Sequence, residues 1–182
     1  MSEPFTVAIL TCSDRCSAGQ AIDTSGPALA QLVQSELNAR VVAAVCLPDE
    51  QDQIARQLQT WSKIDPRPDL ILTTGGTGLS PRDVTPEATA SVLQRRHQGL
   101  LELARLRCYA KTPRTFLSRG EAGTIGQTLI INLPGSQRGS TEMLQALLDV
   151  LPHALKTLRG QVQDDGRPGL AEDASEPINP AE

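Results

Sequence analysis

The sequence contains few of the residues that characterise several common classes of protein. Of its 182 residues, one is Trp, one is Tyr and two are Phe, so aliphatic side chains must fill the core. Its four cysteines are too few and too scattered for a disulfide scaffold. Cys12 and Cys16 are separated by three residues, which is not the C-x-x-C spacing of redox and zinc sites. We therefore expect free, buried thiols.

Long apolar runs are also missing. No uninterrupted apolar segment approaches the length needed to span a bilayer. The first residues do not combine a basic segment with an apolar one, which is the pattern of a signal peptide. We expect a cytoplasmic protein that has no membrane partner.

Neither sign of charge dominates the main part of the chain. The sequence has 17 basic and 21 acidic residues, but six of the acids and one base lie after Gly160. The 16 bases and 15 acids that precede this segment give no basic face, so a nucleic-acid partner is not expected. Because residues 161–182 are acidic and rich in Pro and Gly, we predict a disordered tail there, after one domain over residues 1–160.

Short apolar segments alternate with segments of helical spacing, which predicts an α/β fold with a mostly parallel sheet covered on both faces. The predicted strands are Phe5–Thr11, Arg40–Leu47, Asp69–Thr74 and Thr128–Leu133.

Helices are predicted after each of these strands. The first should have Ser25 as its N-cap, and the third should have Thr85 as N-cap with Pro86 next to it. The pattern from Val92 to Leu106 is interrupted near Gly99, which is compatible with two helices. A single last helix is predicted from about Ser140 to Leu158, and the stretch 112–126 is polar and contains glycines.

The stretch Leu70–Glu87 combines a buried strand with a glycine cluster. Gly75, Gly76 and Gly78 have no side chain to block a ligand, so the backbone N–H groups of this loop can surround an anion. The loop matches neither the Walker A nor the G-x-G-x-x-G pattern. Taken alone, it is explained about as well by a simple turn between strand and helix.

Three other polar loops also follow predicted strands. Because ligands of such sheets bind at the carboxyl ends of the strands, we expect the loops to converge on one site. Two or more carboxylates next to a phosphate loop could hold Mg²⁺, although Asp49 could instead cap the next helix. Arg82 and Arg119 could contact an anion or be solvated. The four loops are residues 13–26, 48–50, 74–83 and 134–136.

Three ordered motifs resemble the molybdopterin adenylyltransferase family of molybdenum cofactor biosynthesis, the MogA/MoaB type that also forms the G domain of gephyrin. The resemblance spans roughly residues 6–160. The chain departs from many relatives at Gln137, where they have proline. The motifs are Thr11-x-Ser13-Asp14 with Asp23-x-Ser25-Gly26, Thr74–Gly78 with Pro81–Glu87, and Ser118-Arg119 with Asn132–Ser136.

The resemblance implies a three-layer α/β/α sandwich, usually a homotrimer and sometimes a hexamer. The implied reaction is Mg²⁺-dependent transfer of AMP from ATP to the terminal phosphate of molybdopterin, which releases pyrophosphate. The product would pass to the enzyme that inserts the metal. Asp49 and Asp83 match the family's two functional aspartates, which we predict to be catalytic and to bind the metal.

The substrate-binding residues implied by the resemblance lie in three of the loops. They are Ser13, Asp14, Gly75, Gly76, Thr77, Gly78, Ser80, Gly135 and Ser136. Two alternatives stay open. One is a non-catalytic paralogue or scaffold that binds molybdopterin. The other, a domain of the metal-inserting molybdotransferase, ranks last because the chain lacks the further domains of such an enzyme.

Overall fold

The computed structural model describes residues 3–162, so most of the predicted acidic tail lies outside the described residues. Six strands form one sheet in the order β2-β1-β3-β6-β5-β4. The four strands β2, β1, β3 and β6 run parallel, while β5 is antiparallel to both β6 and β4. The strands are β1 (Phe5–Cys12), β2 (Ala39–Leu47), β3 (Leu70–Thr74), β4 (Arg95–Arg96), β5 (Ala122–Ile125) and β6 (Thr128–Leu133).

Within residues 3–162, seven α-helices and one short 3₁₀ helix accompany the strands, and the last two of these helices follow β6. The helices are α1 (Asp14–Ser17), α2 (Ser25–Glu36), α3 (Gln51–Lys63), α4 (Thr85–Val92), α5 (Gln98–Tyr109), the 3₁₀ helix (Pro113–Leu117), α6 (Gln137–Gln145) and α7 (Leu151–Leu158). Among residues 3–162, none of the helices is both long enough and apolar enough to cross a membrane.

The helices cover both faces of the sheet. Val7 and Ile9 of β1 pack on the face that carries α2, α5, α6 and α7. Ala8 and Leu10 point to the other face, where they meet α3 and α4. This alternation buries β1 on both sides, as expected of a central parallel strand. The prediction of a three-layer α/β/α fold with a mostly parallel sheet is confirmed.

No strand was predicted in the polar stretch 112–126, but β5 begins there at Ala122. The sheet therefore extends by two strands beyond β6. A side chain at Gly123 would place its Cβ 2.2 Å from the carbonyl oxygen of Arg95. Glycine is needed there because β4 lies so close. Glycine is disfavoured in strands, so this position could not be recognised as part of a strand from the sequence.

The predicted starts of α2 and α4 were each one residue late. In α2 the N-cap position is Thr24, and Ser25 is already helical. The carboxylate of Asp23 caps this helix by accepting the N–H groups of Ser25 and Gly26 at 3.0 and 2.9 Å. In α4 the N-cap position is Val84, which makes no side-chain cap bond.

The predicted last helix is two helices. Its first part begins earlier than expected because the hydroxyl of Ser136 accepts the N–H of Gly139 and caps α6. A turn near Leu147 and Val150 separates α6 from α7. The other expected interruption, near Gly99, lies slightly earlier, where β4 joins the sheet between α4 and α5.

Asn132, part of the third motif, is a structural residue at the centre of the fold. It is fully buried in β6. Its Nδ2 donates to the hydroxyls of Thr73 and Thr89, both at 2.9 Å, and its Oδ1 accepts the N–H of Glu121 at 2.9 Å. One side chain thus joins β6 to β3, to α4 and to the segment that leads into β5.

We predict that Asn132→Ala lowers the free energy of unfolding by about 3 kcal/mol, because it leaves buried polar groups without partners. Urea unfolding followed by circular dichroism measures the loss. Gln127→Ala, at the exposed turn before the same strand, is the control and should change stability by less than about 0.5 kcal/mol. Equal effects of the two substitutions would contradict the role of Asn132.

Candidate functional site

The loops at the carboxyl ends of β1, β2, β3 and β6 are joined by direct hydrogen bonds. The N–H of Ser13 donates to the carbonyl of Leu47 at 2.9 Å. The hydroxyl of Thr74 donates to the carbonyl of Pro134 at 2.7 Å, and the hydroxyl of Ser25 donates to that of Gly135 at 2.9 Å. The predicted convergence of the polar loops is confirmed.

Gly75 makes this close approach possible. Its φ is +101°, in the region that favours glycine, and a Cβ there would lie 2.1 Å from the carbonyl oxygen of Cys12. A Cβ on Gly135 would lie 3.0 Å from the Cα of Gly75. The two glycines therefore allow the backbones after β1, β3 and β6 to pack against one another.

Two cavities open at this edge of the sheet and share Gly76 and Gly135 in their linings. Cavity I has a volume of about 560 Å³, and cavity II has a volume of about 280 Å³. Cavity I is lined by Gly76, Thr77, Gly78, Asp83, Cys108, Thr112, Arg114, Thr115, Leu117, Ser118, Pro134, Gly135, Ser136, Gly139, Glu142 and Met143. Cavity II is lined by Thr11, Cys12, Ser13, Cys16, Ile22, Asp23, Thr24, Ser25, Asp49, Thr74, Gly75, Gly76 and Gly135.

Asp49 reaches cavity II from the loop between β2 and α3. Its Oδ2 accepts the N–H of Asp14, and the Oδ1 of Asp14 accepts the N–H of Asp49, both at 3.0 Å. It does not cap α3, because Glu50 holds the N-cap position. The other oxygen of Asp49, Oδ1, is buried and has no hydrogen-bond partner among residues 3–162.

The surroundings of Asp49 disfavour its ionised form. Burial raises the pKa of its carboxyl above the ordinary value, and the nearby carboxylates of Asp14 and Asp83 add to this effect. Binding of a cation or a proton would relieve this unfavourable charge. Carboxylates with a pKa perturbed in this way are common at functional sites.

Asp83 reaches cavity I from the glycine loop. Its Oδ2 accepts the N–H of Ser80 at 3.0 Å, and a Cβ on Gly78 would lie 2.9 Å from the same oxygen. On the other side of the loop, a Cβ on Gly76 would lie 2.9 Å from Oδ1 of Asp49. The two aspartates therefore flank the glycine loop from two sides.

The residues present fit a magnesium ion that is shared with a substrate. Among the described residues, no group of three or more His, Cys, Asp or Glu side chains could hold a metal by itself. Mg²⁺ typically binds one or two carboxylates and completes its shell with water and substrate phosphates. The unpartnered Oδ1 of Asp49, with Asp83 nearby, satisfies that requirement.

Arg82 and Arg119 are both engaged by other groups of the protein. Arg82 pairs with Asp14 at 3.0 Å and with Glu50 at 3.1 Å, and the contact with Asp14 lowers the pKa of that carboxyl. Arg119 is directed at backbone carbonyls of the glycine loop. Arg82 thereby links the glycine loop to the loops that follow β1 and β2.

The structure brings most of the predicted substrate-binding residues to the two cavities. Ser13, Gly75 and Asp49 line cavity II, and Gly76 and Gly135 line both. Two residues lie outside both linings: Asp14, which is bound to Arg82, and the exposed Ser80. Cavity I is lined by Thr77, Gly78, Asp83 and Ser136.

Sequence reasoning missed one wall of cavity I. That wall comes from the end of α5, the 3₁₀ helix and α6, which contribute residues such as Cys108, Thr115 and Met143. These residues have no common spacing and no motif, so no sequence signal marked them. The neighbouring pair Ser118-Arg119 was visible as part of a motif, but its role was not.

A family model described as "Probable molybdopterin binding domain" matches residues 8–153, which include all the loops described above. The chain belongs to this family. It is 43% identical over 163 residues to the Drosophila melanogaster molybdenum cofactor synthesis protein cinnamon, covering 88% of this chain and 26% of that protein. This chain therefore spans about a quarter of the length of that relative.

Shorter relatives match along most of their length. The molybdopterin adenylyltransferase of Helicobacter pylori J99 is 36% identical over 155 residues, which are 85% of this chain and 88% of the relative. The crystal structure of MoaB from Thermus thermophilus is 48% identical and superposes with a TM-score of 0.81, covering 86% of this chain and 97% of the other. The chain is thus similar, over most of its length, to proteins named for molybdopterin or molybdenum cofactor synthesis.

We predict that Asp49→Asn makes the protein more stable at pH 7. Because the pKa of Asp49 is raised in the folded protein, its ionised carboxylate destabilises the folded state. This penalty is absent below the ordinary carboxyl pKa of 3.8, where Asp49 is protonated in both the folded and the unfolded protein. The stability gain measured by urea unfolding should therefore be present at pH 7 and disappear by about pH 3. Asp52→Asn, exposed on α3, is the control and should show no such gain. A less stable Asp49→Asn variant at pH 7 would contradict the prediction.

Proposed function

We propose that this protein is a molybdopterin adenylyltransferase. In the proposed reaction, an oxygen of the terminal phosphate of molybdopterin attacks the α-phosphorus of ATP. The new P–O bond joins AMP to molybdopterin, the bond to the β-phosphate breaks, and pyrophosphate leaves. The name of the Helicobacter pylori relative supports this activity.

The observation that carries the proposal is the meeting of two cavities at Gly76 and Gly135, where an unsatisfied oxygen of Asp49 is buried. A reaction that joins two phosphorylated substrates needs adjacent binding spaces with the reacting groups between them. One cavity for each substrate would place both phosphates next to the glycine loop.

The glycine loop has the donors that such phosphates need. Among residues 3–162, the backbone N–H groups of Gly76, Thr77 and Gly78 donate to no protein acceptor. Successive free N–H groups form an anion-binding nest. Donors fixed in this way stabilise charge that develops during phosphoryl transfer without reorganising at the moment of reaction.

Asp49 and Asp83 would hold the magnesium ion. When bound, Mg²⁺ neutralises charge on the triphosphate and on the leaving pyrophosphate. The two carboxylates are themselves kept in place by the N–H groups of Asp14 and Ser80. Each aspartate is thus oriented by a backbone donor before any ligand arrives.

We predict that Asp49→Asn and Asp83→Asn each reduce formation of adenylylated molybdopterin by about 100-fold, because each removes a charge that positions metal and phosphate. The assay supplies ATP, Mg²⁺ and molybdopterin and detects the product and pyrophosphate by chromatography. Asp52→Asn is the matched control and should retain full activity.

Two outcomes of this assay would contradict parts of the proposal. Undiminished activity in Asp83→Asn would contradict the role of that residue. Binding of molybdopterin by the unmodified protein without any ATP-dependent product, under conditions in which a related enzyme works, would instead support a non-catalytic binding protein.

We also propose that the protein forms a homotrimer that passes its product to the metal-inserting enzyme. Four large apolar residues around α5 and the 3₁₀ helix are each more than half exposed, which supports burial of this surface against another chain. They are Leu106, Tyr109, Phe116 and Leu117.

We predict a particle of three chains, each of 19.5 kDa, in light scattering coupled to size-exclusion chromatography. Phe116→Glu should shift the particle towards the mass of one chain, because it places a charge on this apolar surface. The control is Ile22→Glu, at an exposed position on the loop before α2, which should leave the particle mass unchanged. A monomeric or dimeric unmodified protein would contradict the trimer, and a hexamer would indicate two associated trimers.

A further inference from the structure

The glycine loop has few internal contacts that could fix its shape. Near its end, the N–H of Asp83 donates to the carbonyl of Ser80 at 2.9 Å, and the N–H of Ser80 donates back to the Asp83 carboxylate. At its start, Gly76 has a φ of +61°. The carbonyl of Gly76 accepts the N–H of Thr85 at 3.1 Å. Within the loop, neither Thr77 nor Gly78 makes a backbone hydrogen bond, and Gly78 has the added flexibility of glycine, so both need an external restraint to hold one conformation.

Arg119, in the segment between the 3₁₀ helix and β5, provides contacts along most of this loop. Its backbone N–H donates to the carbonyl of Thr77 at 2.8 Å. Its Nε donates to the carbonyl of Gly78 at 2.7 Å, and its Nη2 donates to the carbonyl of Asp83 at 2.7 Å. Its Nη1 pairs with the carboxylate of Glu87, at the start of α4.

These contacts determine where the N–H groups of the loop point. In a trans peptide, the carbonyl and the following N–H point in opposite directions. The backbone N–H of Arg119, which holds the carbonyl of Thr77, also fixes the N–H of Gly78 on the opposite side. The side chain of Arg119, which holds the carbonyls of Gly78 and Asp83, fixes the N–H of Leu79 and the end of the loop. A guanidinium has a planar fork of donors that suits two carbonyls and a carboxylate together, whereas the single ammonium group of lysine does not.

We infer that Arg119 is a positioning residue that holds the glycine loop in the conformation that receives phosphate. The inference rests on the proposed function for its catalytic consequence, but the restraint itself is a property of the free protein. Arg119 acts from behind the loop, with its donors engaged by protein carbonyls and Glu87, and does not itself bind the anion.

Hydrogen exchange tests the restraint without substrate. In Arg119→Ala, the hydrogen-bonded amides of Ser80, Arg82 and Asp83 should exchange at least about tenfold faster, because charge-assisted hydrogen bonds that oppose local opening are lost. Arg107→Ala is the matched control: Arg107 also binds a carbonyl and a carboxylate, those of Ala146 and Asp149, and is similarly exposed. Unchanged exchange of these three amides in Arg119→Ala would overturn the inference.

Kinetics then test the catalytic consequence. Arg119→Ala should lose about 100-fold in kcat, as expected for a small misplacement of positioning groups, with a smaller change in KM. Arg119→Lys should have little more activity than Arg119→Ala. Added guanidinium, at concentrations that do not denature the protein, should partly restore the activity of Arg119→Ala and should not change that of Arg107→Ala. Full activity of Arg119→Ala, or rescue by lysine, would overturn the positioning role.

Circular dichroism of the variants and the assay of the unmodified protein distinguish the possible outcomes. Circular dichroism establishes that each variant is folded, and Arg119→Lys takes the place of Arg119→Ala in the exchange experiment if the latter is not. If the unmodified protein forms no product, the proposed function fails, and the exchange data still decide whether Arg119 restrains the loop.

Discussion

The contact between Gly75 and the carbonyl oxygen of Cys12 is the constraint on which the rest of the site depends. With any side chain at position 75, a Cβ would lie 2.1 Å from that oxygen, so the loops after β1 and β3 would have to separate. Gly135 makes a second close approach to Gly75, from the end of β6. Because the three loops touch, the two cavities share a boundary and the carboxylates of Asp49 and Asp83 lie on either side of one loop.

The partly buried carboxylate at the site lowers the stability of the folded protein. The site therefore depends on hydrogen bonds in the surrounding fold. Asp49 is partly buried near two other acids and leaves one oxygen without a partner among residues 3–162, which disfavours the folded state. Asn132, fully buried, satisfies three hydrogen bonds that join strands and helix directly behind the loops. Strained or unsatisfied groups of this kind persist in proteins where the surrounding structure holds them and where function requires them.

Much of the fold could be predicted, because a parallel α/β sheet has strong local signals. Strands buried on both faces have continuous apolar runs, as in Leu70–Leu72, and helices that cover them have a clear period. The strands β4 and β5 could not be predicted, because Arg95–Arg96 is two exposed residues long and Gly123 is present to allow a close backbone approach. The predicted start of α2 was one residue late because the carboxylate of Asp23, rather than the predicted hydroxyl of Ser25, caps that helix.

The sequence by itself determined the layered α/β architecture, the glycine loop and the aspartates that follow β2 and β3, since these are properties of local pattern and of motif order. Tertiary structure alone decided which side chains became available for chemistry. It left Oδ1 of Asp49 without a partner among the described residues, engaged Arg82 with Asp14, and directed Arg119 at the loop carbonyls. It also built one wall of cavity I from the 3₁₀ helix. These outcomes depend on contacts between residues far apart in the chain, and local sequence carries no signal for such contacts.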